Sequence, residues 1–203
     1  MNKALNKYKD NEKVWHINGF TYPIKSTLNC ETFFTRNMEF WGWATWQDRW
    51  FKFIDDPLST DPFYLISKFS KKDIREFNLG LKHDIYWSMV LANSDGRLPN
   101  TLDVFWHAFI FLKKGLCLAP KISLTRNIGH DGSGDNCSLD KKILSANINQ
   151  YPISSFPSEV KEDLDILKQI QIYYNSKYSL LNKISNKLKR ILFGLNIFLR
   201  KFK

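Results

Sequence analysis

The chain has 203 residues, with 30 Lys plus Arg against 20 Asp plus Glu, for a formal net charge of +10. Its 43% hydrophobic and 15% aromatic content suits a packed core and excludes a disordered tail or a collagen-like repeat. No run of about 18 apolar residues is present, and the polar residues after Met1 (Asn2, Lys3, Asn6, Lys7) are not those of a secretory signal, so neither a spanning helix nor a leader is expected.

In chain order, the sequence predicts a short helix over Met1–Tyr8, a polar turn over 9–12, and a strand from Val14 to Phe20 running into Tyr22-Pro23. A loop follows. The stretch 33–53 holds Trp41, Trp43, Trp46 and Trp50 and is closed by Asp55-Asp56-Pro57, after which 58–80 reads as helical connections. Ile85, Tyr86, Met89 and Val90 share a helical face before the turn cluster Asn93-Ser94-Asp95-Gly96. Val104, Phe105, Ala108, Phe109 and Leu112 share a second face, with Asn100 as cap, Asp103 in the first turn and Gly115 as the stop. A short strand over 116–118 ends at Pro120, a Gly-rich loop spans 127–134, and a last helix covers 158–173. No internal repeat is visible, and this order is that of an α/β or α+β chain.

The positive charge is concentrated. From Lys177 onward there are eight basic residues and no acidic one, which leaves 22 basic and 20 acidic residues over 1–176, a net +2. A nucleic-acid partner is therefore not expected. Leu180, Leu181, Ile184, Leu188, Ile191, Leu192, Leu195, Phe198, Leu199 and Phe202 fall at spacings of three and four between those cations. That is the pattern of an amphipathic helix lying on an anionic membrane surface; a helix docked on its own domain or on a partner is the alternative. Cys30, Cys117 and Cys137 are widely spaced, without a CxxC pair, so no disulfide framework or zinc knuckle is indicated and a reducing compartment is expected.

Three constellations carry chemistry. Trp41-Gly42-Trp43-Ala44-Thr45-Trp46 offers flat aromatic faces to sugar rings, and Gly42 lets a ligand approach the backbone; a Trp-rich core corner is the alternative. The loop with Gly129, His130, Asp131, Gly132 and Gly134 places an imidazole and a carboxylate side by side on a permissive backbone, a phosphate or metal cradle if it is not simply a turn. Asp103 is ordinarily a helix-dipole residue that its neighbourhood could promote to a general base. Asp55-Asp56 stands beside Pro57 in a turn and is discounted, and GxSxG, Walker, GxGxxG and HExxH patterns are absent.

Taken in order, 13–23 (Lys-Val-Trp-His-Ile-Asn-Gly-Phe-Thr-Tyr-Pro), 41–46 (Trp-Gly-Trp-Ala-Thr-Trp), 102–108 (Leu-Asp-Val-Phe-Trp-His-Ala) and 127–134 resemble the C-terminal half of bacterial family-two-like glycosyltransferases of surface polysaccharide synthesis. They are similar also to the acceptor half of GT-A-fold N-acetylglucosaminyltransferases. The resemblance implies an α/β partial GT-A-type domain, with an acceptor-side half over 1–150, a helical connector over 151–176 and a basic amphipathic tail over 177–203. It implies a nucleotide-sugar donor, a glycan or lipid-linked acceptor, Mn or Mg as cofactor, and a cytoplasmic, peripheral place on the inner face of the membrane. Asp103 corresponds to the catalytic base and His130 to the residue that meets metal or diphosphate. Trp41, Gly42, Trp43, Trp46, Trp106, Gly129, Asp131 and Gly132 correspond to the substrate surround. Such enzymes carry a nucleotide-binding half ending in Asp-x-Asp before the segment that matches Met1. The sequence has none, so a misplaced start, a broken or split gene, or a natural half working with a separate donor-half chain is expected. Leu102 stands where the family has Trp.

Overall fold

The computed structural model describes residues 1–25, 29–97, 102–133 and 139–178. Asn100, Gly134, Cys137 and the basic amphipathic stretch beyond Tyr178 lie outside the described residues. Among the described residues the chain is mixed α/β, a four-stranded mixed sheet among eight helices. No helix among them is long and apolar enough to cross a membrane.

Helix α1 (Asn2–Tyr8) buries Ala4 and Tyr8, one turn apart. Strand β1 (Val14–Asn18) is buried along its whole length. It stops at Asn18 rather than at Phe20; the Gly19 amide still bonds the Gly42 carbonyl, next in the β3 register, while the Gly19 carbonyl accepts from Leu124, beyond β4. Strands β2 (Thr32–Thr35), β3 (Trp43–Ala44) and β4 (Leu116–Pro120) complete the sheet in the order β2-β4-β1-β3. β1 and β4 are parallel, while the two outer pairings are antiparallel. Between Val14 and His16 the register slips by one residue against β4. That bulge lets the consecutive residues Trp15 and His16 both reach Trp106, while Val14 and Ile17 join the cluster on α1.

β2 is not legible in the sequence: four wholly buried residues show no alternation. Its outer edge is closed by the segment 154–163. Ser155 Oγ accepts from the Glu31 amide (2.8 Å), Asp163 donates to the Phe34 carbonyl (2.9 Å), and Glu162 pairs with Arg36 (2.9 Å). The Glu31 carboxylate gathers the amides and hydroxyls of Ser154 and Ser155, which hold it down to about 2. This extended run explains why the last helix, α8 (Leu164–Lys177), starts at Leu164 and not at 158: Asp163 caps it, accepting from the amides of Asp165 and Ile166. Lys177, which the charge pattern assigns to the tail, ends α8 and pairs with Asp140 at 3.3 Å.

The connections between β3 and β4 are helical. They comprise α2 (Gln47–Ile54), α3 (Pro62–Ser67, capped by Asp61), α4 (Lys71–Phe77, with a Ser70–Asp73 capping box), α5 (Tyr86–Ser94) and α6 (Leu102–Leu112). Two side chains outside α5 satisfy its first amides: Asn78 Oδ1 accepts from Ile85, Tyr86 and Trp87, and Asp84 Oδ1 accepts from Ser88 at 2.8 Å. α6 exceeds its expected one-faced pattern: every residue from Val104 to Phe111 is buried, so this helix is the centre of the core. Gly115 follows it as expected, but the positive φ (55°) belongs to Lys114. Gly115 is needed for space, since a Cβ there would stand 2.5 Å from the Trp15 ring. The short α7 (Lys141–Leu144) lies against the Gly-rich loop.

Arg49 of α2 is the fastener between α1, β1 and α2. It is 4% exposed, donates to the carbonyls of Val14, Lys9 and Asn11 (2.9, 2.9 and 3.1 Å), pairs with Asp48, and stacks on Trp46 at 4.3 Å. Arg49→Met keeps the stem and removes this donor from the Val14 and Lys9 carbonyls, while Asn11 keeps the Val14 amide. At about 1–3 kcal/mol for each buried group left unpaired, a loss of about 2 kcal/mol or more is expected in urea denaturation. A loss below about 1 kcal/mol would mean that water replaces the guanidinium freely.

Candidate functional site

The Trp-Gly-Trp segment is fixed by close backbone packing. Gly42 has φ +75°, and its carbonyl accepts from the Gly19 amide at 2.6 Å. A Cβ at Gly19 would lie 2.5 Å from that carbonyl oxygen, and one at Gly42 would lie 2.6 Å from Thr125 Cγ2. Thr125 Oγ1 donates to the Trp41 carbonyl at 2.6 Å, and the Leu124 amide donates to the Gly19 carbonyl at 2.7 Å. Three stretches far apart in sequence thus meet at one point.

Trp41, half-buried, sets its ring edge-on to Phe20 (4.6 Å) and to His130 (5.0 Å). His130 is buried in a single 3-10 turn, Ile128–Asp131, inside the expected loop. Asn127 caps that turn through the Gly129 amide (3.0 Å), and Gly132 closes it with φ +100°. Trp41, Gly42 and His130 are therefore neighbours, as are Gly129 and Gly132 by chain connection. Asp131 is exposed, and the Ser133 hydroxyl together with the Ser133 amide, which it accepts at 2.8 Å, lowers its carboxyl pKa. Trp43 stacks on His16 (5.1 Å, 24°) and lies 5.8 Å from Trp50.

The remaining candidates sit elsewhere. Trp46 donates to the Leu5 carbonyl (3.0 Å) and carries Arg49 on its face, on the side of the sheet that α1 covers. Trp106 is 1% exposed in the core, between Phe53, Trp50 and Phe109. Asp103 stands at the surface in the first turn of α6, where partial desolvation raises its carboxyl pKa. Among the described residues no hydrogen bond or ion pair joins Asp103 to the Trp-Gly-Trp segment or to the His130 turn.

Beneath the tryptophans lies a buried polar network that pattern reading does not reveal. Trp106 Nε1 donates to His16 Nδ1 at 3.1 Å. An indole can only donate, so the His16 proton is on Nε2, which donates to the Glu39 carbonyl at 3.3 Å. Asn18 accepts from the Glu39 amide (3.0 Å) and donates to the Asn37 carbonyl (3.2 Å), and Asn37 Nδ2 donates to the Glu39 carboxyl. Tyr22, Tyr174 and Tyr86 link their hydroxyls beside it at 2.6 and 3.1 Å. Burial holds the imidazoles of His16 and His107 down to about 3 and pushes the Glu39 carboxyl up to about 8. The signal in the sequence was two polar residues, His16 and Asn18, in an otherwise apolar strand.

No protein-family model, no curated protein and no solved structure matches the chain.

Two outcomes follow from these surroundings. The neutral imidazoles lower stability as pH falls from their ordinary 6.5 toward about 3, because the unfolded chain binds protons that the native one does not. Glu39 acts with the opposite sign: native protein keeps a proton that the unfolded carboxyl has lost above 4.5, so stability declines as pH rises toward about 8. Two groups against one place the maximum near pH 6.5, to be read from Tm against pH; a maximum above pH 8 would exclude a protonated Glu39. Gly42→Ala meets both a positive φ and Thr125, and about 1–3 kcal/mol of destabilisation is expected by denaturant titration.

Proposed function

We propose that the chain is the acceptor-side part of a GT-A-type glycosyltransferase, moving a sugar from a nucleotide-sugar donor to a hydroxyl of a polysaccharide or lipid-linked acceptor. The observation that carries this reading is the meeting of Trp41-Gly42-Trp43 with the His130 turn, two motifs about ninety residues apart in sequence. Gly42 is exposed between two half-buried indoles, and the aromatic carbon beside it suits the flat face of a sugar ring. Asp103 supplies the base. Its surface position admits an acceptor, and its raised pKa makes the carboxylate a better proton acceptor. The acceptor hydroxyl gives its proton to Asp103 as its oxygen bonds the anomeric carbon, and the bond from that carbon to the diphosphate breaks with the electron pair leaving on the diphosphate.

Mn or Mg would place positive charge beside that leaving group. Among the described residues the donors at the turn do not make its shell: one buried imidazole, and one carboxylate already accepting from the Ser133 amide, fall short of the several oxygens a hard cation takes. The donor-binding contacts come from a donor-binding half, and the basic stretch beyond Tyr178 holds the assembly on the inner face of the membrane.

A second reading, a carbohydrate-binding module without transfer, is favoured by the lack, among the described residues, of a hydrogen bond or ion pair joining Asp103 to the tryptophan segment. Full-length chain co-produced with a donor-binding half, Mn and a panel of nucleotide sugars tests the first reading. Transfer is expected, and Asp103→Asn is expected to lower it by about 10²–10⁴-fold without changing tryptophan quenching by glycans. Quenching without transfer in any combination would leave the second reading. Truncation after Tyr178 is expected to release the protein from anionic vesicles; undiminished binding would assign that stretch to docking instead.

A further inference from the structure

The face of the sheet that α1 covers carries a pocket of about 400 Å3, within the range of about 300–1,000 Å3 that small-molecule sites occupy. Its origin is a mismatch of lengths. Helix α1 has seven residues and spans about 10 Å, whereas β1 and β4 have five each and run about 16 Å. Ile17 and Leu118, toward the carboxyl ends of the two parallel strands, line the pocket from the sheet. Residues 1–4 line it from the helix, and 151–153 with Phe156 from the extended run that precedes α8. Open α/β sheets take their ligands at this end of the strands.

We propose that this pocket binds the hydrocarbon chain of a fatty acid, with the carboxylate left at the rim beside Lys3. The proposal is independent of sugar transfer.

The lining sets the chemistry. Ala4, Ile17, Leu118, Leu124, Ile153 and Phe156 present aliphatic or aromatic carbon. The two buried polar side chains among the lining residues are already engaged: Thr32 Oγ1 donates to the Ser155 carbonyl at 3.1 Å, and Asn18 bridges the Glu39 amide and the Asn37 carbonyl. A polar ligand would lose its water here without gaining a partner, while each methylene of a chain gains from burial. Polar groups belong at the rim, where Asn2, Lys3 and Tyr151 are exposed. The helix side of that rim is cationic. The first nine residues hold Lys3, Lys7 and Lys9 and no acidic residue. Lys7, one turn on from Lys3, stands 5.8 Å from the centre of the Phe156 ring. Glu31, next to Thr32 in the chain, has its carboxylate gathered by Ser154 and Ser155. An amphiphile with an anionic head complements both the apolar walls and the lysines above them.

The test is calorimetry of the full chain with octanoate, decanoate and dodecanoate, each below its micelle concentration. One-to-one binding is expected, tightening about fourfold for each added methylene. Dodecanol, which lacks the charge, is expected to bind more weakly, and Lys3→Glu to weaken dodecanoate about two- to fivefold while leaving dodecanol unchanged. Ile153→Trp, which fills the pocket from its wall, is expected to abolish binding with the far-UV spectrum intact. The proposal is overturned by a lack of saturable binding, by affinity indifferent to chain length, by dodecanol binding as tightly as dodecanoate, or by an Ile153→Trp variant that binds like the wild type. Should that variant fail to fold, methyl resonances of wild type labelled at isoleucine and leucine decide. Dodecanoate that shifts Ile17 and Leu118 but not Ile110 of α6 supports the pocket. Shifts that spare Ile17 and Leu118 place the chain elsewhere, on the basic stretch beyond Tyr178 or another surface, and overturn it.

Discussion

The indole N–H of Trp106 can only donate a hydrogen bond, and in a site 1% exposed it must find an acceptor. It finds His16 Nδ1, and this single bond propagates. It fixes the imidazole tautomer, turns Nε2 into a donor, and delivers that donor to the backbone of Glu39. Helix α6, strand β1 and the tryptophan loop are thereby connected through one neutral ring. A protonated His16 could not accept from the indole, so the fold depends on keeping that ring uncharged, which burial does.

The geometry behind that bond is a slipped register. One extra residue in β1 against β4 sends Trp15 and His16 to the same side, where Trp106 waits. α6 is buried on all sides because it has the sheet and its bulge beneath it and α3, α5 and the turn after α2 around it. The aromatic side chains meet edge to face or tilted more often than stacked, the arrangement that ring quadrupoles favour. The polar network lies buried within this apolar interior, and its members are satisfied chiefly by one another.

Much of the fold is legible in the residues. α1, β1, α5, α6 and β4 follow from periodicity and from the Gly and Pro that punctuate them, with ends displaced by one to three residues. What was hidden depended on distant partners. β2 has no alternation because both of its faces are covered. The start of α8 is set by a carbonyl of β2, and the cap of α5 comes from Asn78 across a turn. The candidate site divides in the same way. The tryptophan run and the glycine loop stand out in composition, and they do adjoin through Trp41 and His130. Glu39 looked like one more acidic residue, since nothing local marks a carboxyl for burial. Trp46 and Trp106 looked equivalent to Trp41 in sequence, and only the folded chain separates an indole that seats an arginine from one that fills the core.

The Gly19–Gly42 crossing bears on how this chain can change by descent. A methyl group at either position strikes the other segment's carbonyl or Thr125, so the first substitution at one of them would not be relieved by any substitution at the other. The two positions, with Thr125, behave as a single inherited unit. Relatives that keep the crossing will carry all three together, and drift will be recorded in the helices around it, where a tolerant surface absorbs exchange. A sparse, rigid signature of that kind, spread over more than a hundred residues, can outlast the overall likeness by which kinship is usually traced.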